Sequence, residues 1–287
     1  MNMSTFRKKV LKPIGTFMRE QRLATFGAFL VLAFLITGIF APVLAPQDPN
    51  QVNVRASLQP PSWEYPLGAD NNGRDILSRI IHGARVSLII STVSVSLASI
   101  IGVSLGIFAA WYRWSRGIIM RAMDVLLAFP GIVIALTIIA ILGRGVENVI
   151  IAIAIYQIPQ FARLTHGLAL SAQEQTYVEA AVAGGESDRA ILTRYVLSNI
   201  LAPIVVQISL LIPGAIMIAA SLSFIGLGVA PPTAEWGAML QLSMTWGRIA
   251  PHMTIFPGFA LMLVVFGFGV FGDGLRDALD PRLKGRS

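Results

Sequence analysis

The chain of 287 residues contains no cysteine. That excludes disulfides, thiolate zinc sites and a cysteine nucleophile. Charge is scarce: Asp, Glu, Lys and Arg make up 13% of the residues, against roughly 25% in an ordinary soluble domain. The three histidines, His82, His166 and His252, are too scattered in sequence to form a metal-ligand motif. The phosphate-binding pattern G-x-x-x-x-G-K-[ST] occurs nowhere, so the chain has no usual loop for ATP and any energy from ATP must come from a partner. No cofactor motif and no catalytic constellation stands in its place, which argues against an enzyme.

What the chain has instead is apolar sequence, 55% of its residues. It falls in long runs, each near the ~20 residues that cross a bilayer as a helix. Six spans are expected, at roughly Leu23–Ala45, Val86–Ala110, Ile118–Leu142, Val146–Leu170, Leu201–Val229 and Ile255–Phe271. Only helices suit such runs, because backbone polar groups in lipid must be satisfied within the segment. The expected fold is an all-α integral membrane protein with six transmembrane helices. The first run is longer than the roughly 7–15 residues of a signal-peptide core, and it is read as a retained helix.

The net charge of +7 raises the question of nucleic acid, but the basic residues sit between the apolar runs and at the two ends. That distribution reflects membrane topology and gives no reason to invoke nucleic acid. With the N-terminus inside, sixteen of the 22 basic residues fall on the inner side, from Arg7, Lys8, Lys9, Lys12 and Arg19 to Arg282, Lys284 and Arg286. The asymmetry places both termini in the cytoplasm. The organisation expected is a tail at 1–22, a first helix and outer loop at 23–84, a helical membrane domain at 85–275 and a second tail at 276–287. Two connections are long. Pro46 to Arg85 lies outside, rich in Pro, Asn and Asp, and is expected to form a lid-like loop with a short helix. Ser171 to Ile200 lies inside and reads as helical.

Several patterns tempt and fail on context. Gly267, Gly269 and Gly272 spell G-x-G-x-x-G, but within an apolar helix rather than between a strand and a helix. Gly102, Ser104 and Gly106 spell G-x-S-x-G in mid-span, where no strand-to-helix turn exists. Asp70-Asn71-Asn72-Gly73 hints at a calcium loop, yet its twelfth position is Ile81 instead of a bidentate Glu. The small residues Ser87, Ser91, Ser94, Ala98, Gly102 and Gly106 of the second span are read as a helix-packing face. Asp124 and Glu147 lie in or near spans. Asp124 is expected to pair with Arg121 on the same helix face, and Glu147 lies near Arg144 in a tight outer turn.

The stretch YVEAAVAGGESDRAILTRYVLSNILAP, Tyr177 to Pro203, carries the strongest motif. It reads as a helix, a Gly-Gly break, an acidic turn with Ser187 or Asp188 as N-cap, and a second helix. It resembles the EAA loop of binding-protein-dependent ABC importer permeases, with Glu179, Ala180, Ala181 and Gly185 at the motif positions. One departure is Ser198, where relatives usually have Pro. The stretches Leu67–Leu88, Ala220–Leu240 and Gly272–Gly285 are similar to signatures of the second permease in dipeptide, oligopeptide, nickel and glutathione importers. The resemblance implies a type I ABC importer transmembrane domain in a bacterial inner membrane. Its loop at 172–200 would dock on an ATPase. The implied partners are a homologous second permease, two ATP-binding subunits, a periplasmic or lipid-anchored substrate-binding protein, and membrane lipid. The rival expectation is an ion-coupled secondary carrier working alone, for which Gln157-Ile158-Pro159, Gln207 and Pro213 would interrupt the fourth and fifth spans at mid-membrane.

Overall fold

The structure, a computed structural model, describes residues 22–279. The tail residues Arg7, Lys8, Lys9, Lys12, Arg19, Arg282, Lys284 and Arg286, and the end of the Gly272–Gly285 stretch, lie outside the described residues. The order of elements is α1 (Arg22–Ile39), α2 (Ala41–Leu44), a single 3-10 turn (Val54–Ala56), α3 (Ile76–Trp111), α4 (Arg113–Leu127), α5 (Gly131–Leu142) and α6 (Val146–Gln173). There follow α7 (Thr176–Ala183), α8 (Asp188–Ala190), a widened π turn (Ile191–Leu197), α9 (Ser198–Phe224), α10 (Trp236–Trp246) and α11 (His252–Leu279).

Helix α3 organises the bundle. At 36 residues it is about 54 Å long, well beyond the ~30 Å of hydrocarbon. Asp75 caps its first turn, accepting the Ser78 backbone N–H at 2.8 Å and the Ser78 hydroxyl at 2.6 Å. The short helix expected before the second span is absorbed into this continuous one. All six small residues singled out above are buried. A Cβ on Gly102 would stand 2.6 Å from the Ile158 carbonyl oxygen, and one on Gly106 2.6 Å from that of Ala162. The G-x-S-x-G pattern therefore lies where α3 and α6 approach closely, the use small residues have in a bilayer. Glycine does the same job where α1 crosses α11: a Cβ on Gly27 would meet the Phe271 nitrogen at 2.7 Å, and one on Gly267 the Leu30 Cβ at 2.7 Å. Around that crossing, Phe34 sits edge-on to Phe268 with ring centroids 5.9 Å apart.

By length and composition, four helical stretches among the described residues can cross a membrane: Arg22–Ile39, Ile76–Trp111, Asp188–Phe224 and His252–Ala278. The third expected span is not one helix. It breaks at Phe129-Pro130 into α4 and α5, which are bent by 93°, and together they make a fifth crossing if the pair is one span. Pro130 lacks an N–H and disfavours helical geometry at the residue before it. The ring of Tyr156 occupies the space over Gly131, so a side chain there would collide with it. The interruptions expected at Pro159 and Pro213 are not breaks: α6 and α9 run through both. Neighbouring helices can satisfy backbone groups that proline frees in a bundle, and Gln157 ties the two helices by donating from Nε2 to the Leu211 carbonyl at 3.2 Å. Helix α6 has 28 residues, enough to cross, but carries polar residues through its second half.

The connection between α1 and α3 is pinned to the bundle. Arg79 of α3 donates to the Pro49 carbonyl at 2.9 Å. His252, opening α11, lies 3.1 Å from the Ala69 carbonyl. The oxygens of Asp70, the would-be calcium ligand, are taken by the backbone N–H groups of Asn72 (2.8 Å) and Arg74 (3.0 Å) and by the Arg74 guanidinium (2.7 Å). Trp236 is fully buried and donates its indole N–H to the Ile80 carbonyl at 3.0 Å, its ring packed against Gly83.

Candidate functional site

The loop at 172–200 sits at the end of the bundle away from residues 45–75. Its base is one apolar cluster: Ala110 from the last turn of α3, Ala169 and Ala172 from α6, Val178 and Ala181 from α7, then Ile191, Val196, Ile200 and Ile204. Of the four residues the motif picks out, Ala181 faces this base and is buried, while Glu179, Ala180 and Gly185 face outward. The small helix α7 is thus bolted down by one face and presents the other. Glu179 lies in its first turn, where a carboxylate suits the helix dipole.

Gly185 has a specific backbone task. Its φ is +73°. The Glu186 N–H reaches the Ala181 carbonyl at 3.2 Å and the Gly185 N–H reaches that of Val182 at 3.0 Å. These are the paired bonds of a helix end closed by a left-handed residue, for which glycine has no Cβ penalty. The chain then reverses into α8, where Ser187 is the N-cap, its hydroxyl accepting the Ala190 N–H at 3.4 Å. Of the two caps expected, Ser187 holds that position.

Three further contacts, which no local motif signals, fix the loop. The Tyr195 hydroxyl donates to Glu186 at 2.7 Å. The Tyr112 hydroxyl, at the end of α3, donates to Asp188 at 3.2 Å across 76 residues of sequence. Tyr177 stacks on Tyr195 with ring centroids 6.5 Å apart. The π turn, which such contacts flank, has the wide geometry often found at functional sites. Ser198 follows it directly, and its hydroxyl donates to the Thr193 carbonyl at 3.2 Å.

Asp124 does not pair with Arg121 as expected. Its partner is Arg163 of α6, at 2.6 Å, with both side chains about half exposed. The bend at Pro130 turns α4 across α6 and brings together two residues 39 apart. No ion pair joins Glu147 to Arg144 among the described residues. No group of His, Asp and Glu among the described residues is arranged to hold a metal.

Comparison with known proteins places the chain in a family. Residues 102–285 match the family described as binding-protein-dependent transport system inner membrane component, and residues 17–61 match the N-terminal TM domain of oligopeptide transport permease C. The chain is 44% identical over 268 residues to the dipeptide transport system permease protein DppC of Alkalihalophilus pseudofirmus, covering 93% of this chain and 88% of that one. It is 44% identical over 282 residues to the glutathione transport system permease protein GsiD of Pectobacterium atrosepticum, covering 96% and 94%. GsiD of Escherichia coli is 45% identical over 269 residues, covering 93% and 89%. The chain therefore belongs to the inner membrane components of binding-protein-dependent transport systems, as a multi-pass permease subunit of an ABC importer.

Proposed function

We propose that this chain is one half of the passage of a peptide importer, opened and closed from the cytoplasm by an ATPase that seats on the loop at 172–200. The observation that carries the reading is the build of that loop. A short helix with an outward face of Glu179 and Ala180 is held on a rigid apolar base. Gly185, Ser187 and three tyrosines fix its outline. A small exposed helix on a firm base fits a groove in a partner and transmits a push to the helices it is bolted to. In this reading, Glu179, Ala180 and Gly185 meet the ATPase while Ala181 holds α7 to the bundle. A homologous second permease supplies the other half of the passage. A second ATPase docks there, and a substrate-binding protein delivers cargo to the outer face that carries residues 45–75.

The relatives are named for dipeptide and for glutathione transport. Those cargoes share peptide bonds and free carboxylates, and a small peptide-like molecule is the substrate class proposed. Both termini lie in the cytoplasm, in keeping with the distribution of Lys and Arg.

The absence of cysteine makes the test direct. Ala180→Cys in the full importer, with single cysteines along the ATPase surface, should give a disulfide cross-link whose yield changes on ATP binding. Cross-linking at Ala180 that never exceeds that of a cysteine placed at Trp63, on the outer loop, would contradict the docking.

A further inference from the structure

Helix α6 has one face unlike the rest of the bundle. Tyr156, Gln160, Arg163 and Gly167 recur at intervals of four, three and four residues, so they share one stripe of the helix. Higher on the helix the same side is covered: Val149, Ala152 and Ile153 are buried in a cluster with Ala135 and Ile139 of α5. Below Tyr156, whose ring rests on Gly131, the chain bends by 93° at Pro130 and α4 crosses α6, meeting it at the Asp124–Arg163 pair. Gln160 is left half-exposed, and Arg163 and Gly167 are exposed. On the far side of the helix Ile151 is exposed and apolar.

Arg163 decides what this face meets. It lies 17 residues into α6, about 26 Å along it, within reach of the hydrocarbon layer. Its ion pair with Asp124 leaves the side chains 56% and 52% accessible. Half-open charges facing lipid are strongly disfavoured, and within spans they face an aqueous cavity or another protein surface. A short aspartate side chain has no reach to extend to the headgroups. Ile100, Phe259 and Met262 on other helices are exposed and apolar, which suits lipid.

We propose that the stripe Tyr156–Gln160–Arg163–Gly167 lines the inner half of the passage, and that Arg163 receives a carboxylate of the passing substrate in exchange for Asp124. The guanidinium fork matches a carboxylate in shape and charge. Asp124 is the resident counter-ion: it keeps the arginine paired when the passage is empty, and its half-open position lets a second carboxylate compete. The proposal rests on the importer reading above and deepens it. Arg163 is a specificity residue of the passage, with no part in ATP hydrolysis.

The test uses the complete importer, purified with its ATPase and returned to inside-out vesicles, so a failed assembly would count against the importer reading and not against this stripe. Single cysteines are placed at Gln160, Gly167 and, as controls, Ile151 and Ile100. Each is challenged with two thiosulfonate reagents of equal size, one anionic and one cationic. The expected result is labelling at Gln160→Cys and Gly167→Cys and little at the two controls. The anionic reagent should lose about tenfold relative to the cationic one when Arg163→Gln is added, the effect of one unit charge a turn away on probes of opposite sign. Asp124→Asn should move the ratio the other way, which separates charge from mere loss of the ion pair. Stripe cysteines that react only after the subunits are separated would mean that the second permease covers this face, and would overturn the proposal. A ratio unmoved by Arg163→Gln would overturn the role of the arginine.

Discussion

Gly185 offers the sharpest perturbation of the 172–200 loop proposed to dock on the ATPase. A built Cβ would meet no heavy atom within 4 Å, so a side chain there meets no steric obstacle from its neighbours. The whole cost lies in the backbone, whose φ is +73°. For a residue with a Cβ that region costs about 1–2 kcal/mol, and the lower unfolded-state entropy of alanine returns roughly 0.4–1 kcal/mol. Gly185→Ala should therefore weaken the closed loop end by about 1 kcal/mol, lowering its population several-fold wherever the open form is within reach. Gly185→Asn should be nearly neutral, because asparagine tolerates the left-handed region. Gly185→Val should be the worst, since a β-branched residue is an outlier there. A bulky charged residue, Gly185→Asp, adds a carboxylate beside Glu186 on the docking face. The assay is substrate uptake per ATP hydrolysed in proteoliposomes, with thermal melting of the membrane domain as control. The order Gly ≈ Asn > Ala > Val in coupling, with melting unchanged, follows from the backbone geometry. Normal coupling in Gly185→Val would refute it.

Other expectations follow from the packing. Gly106→Leu should prevent stable assembly of the bundle, read as loss of a monodisperse peak in detergent, because its Cβ would stand 2.6 Å from the Ala162 carbonyl oxygen. Trp236→Phe removes the indole edge that lies against Gly83 and the 3.0 Å donor to the Ile80 carbonyl, and should lower stability by more than about 1 kcal/mol in a denaturation series. Glu235, in the connection before α10, has its pKa raised by burial, against the opposing pull of the Gly237 and Ala238 N–H groups and the Ser223 hydroxyl. Its folded form holds a proton at pH values where the unfolded form has lost it. The melting temperature should accordingly rise as pH falls from neutral toward the ordinary carboxylate range, with the rise ending below that range. Glu235→Gln should remove this increment, and an unchanged pH profile in that variant would count against it.

Much of the fold is legible in the runs themselves. Leu23–Ala45 and Ile255–Phe271 lie in or over α1 and α11 because an apolar run near 20 residues has one good solution in lipid. The third span misled because Ile118–Leu142 is apolar on both sides of Phe129-Pro130, and hydropathy averaged over a run is blind to a 93° bend within it. Pro159 and Pro213 misled in the opposite direction: proline disrupts a helix in water, yet a bundle can supply other partners for the groups it frees. The EAA residues are legible because they are contiguous. The Tyr112–Asp188 contact that fixes their loop spans 76 residues, and the Arg163–Asp124 pair elsewhere spans 39; both depend on tertiary placement that no local spacing encodes. The polar face of α6 was hidden for a related reason. Its period is visible, but which side is covered depends on where α5 stops and how α4 crosses.

The most direct test of the importer reading is a gentle detergent pull-down of the tagged chain from its native membrane, followed by mass spectrometry of what accompanies it. A permease half docked through the 172–200 loop should bring down a second homologous permease and ATP-binding subunits, and should lose the ATP-binding subunits but keep the permease when Gly185 is replaced by a bulky charged residue. A chain recovered alone, and active in liposomes without ATP, would contradict the reading.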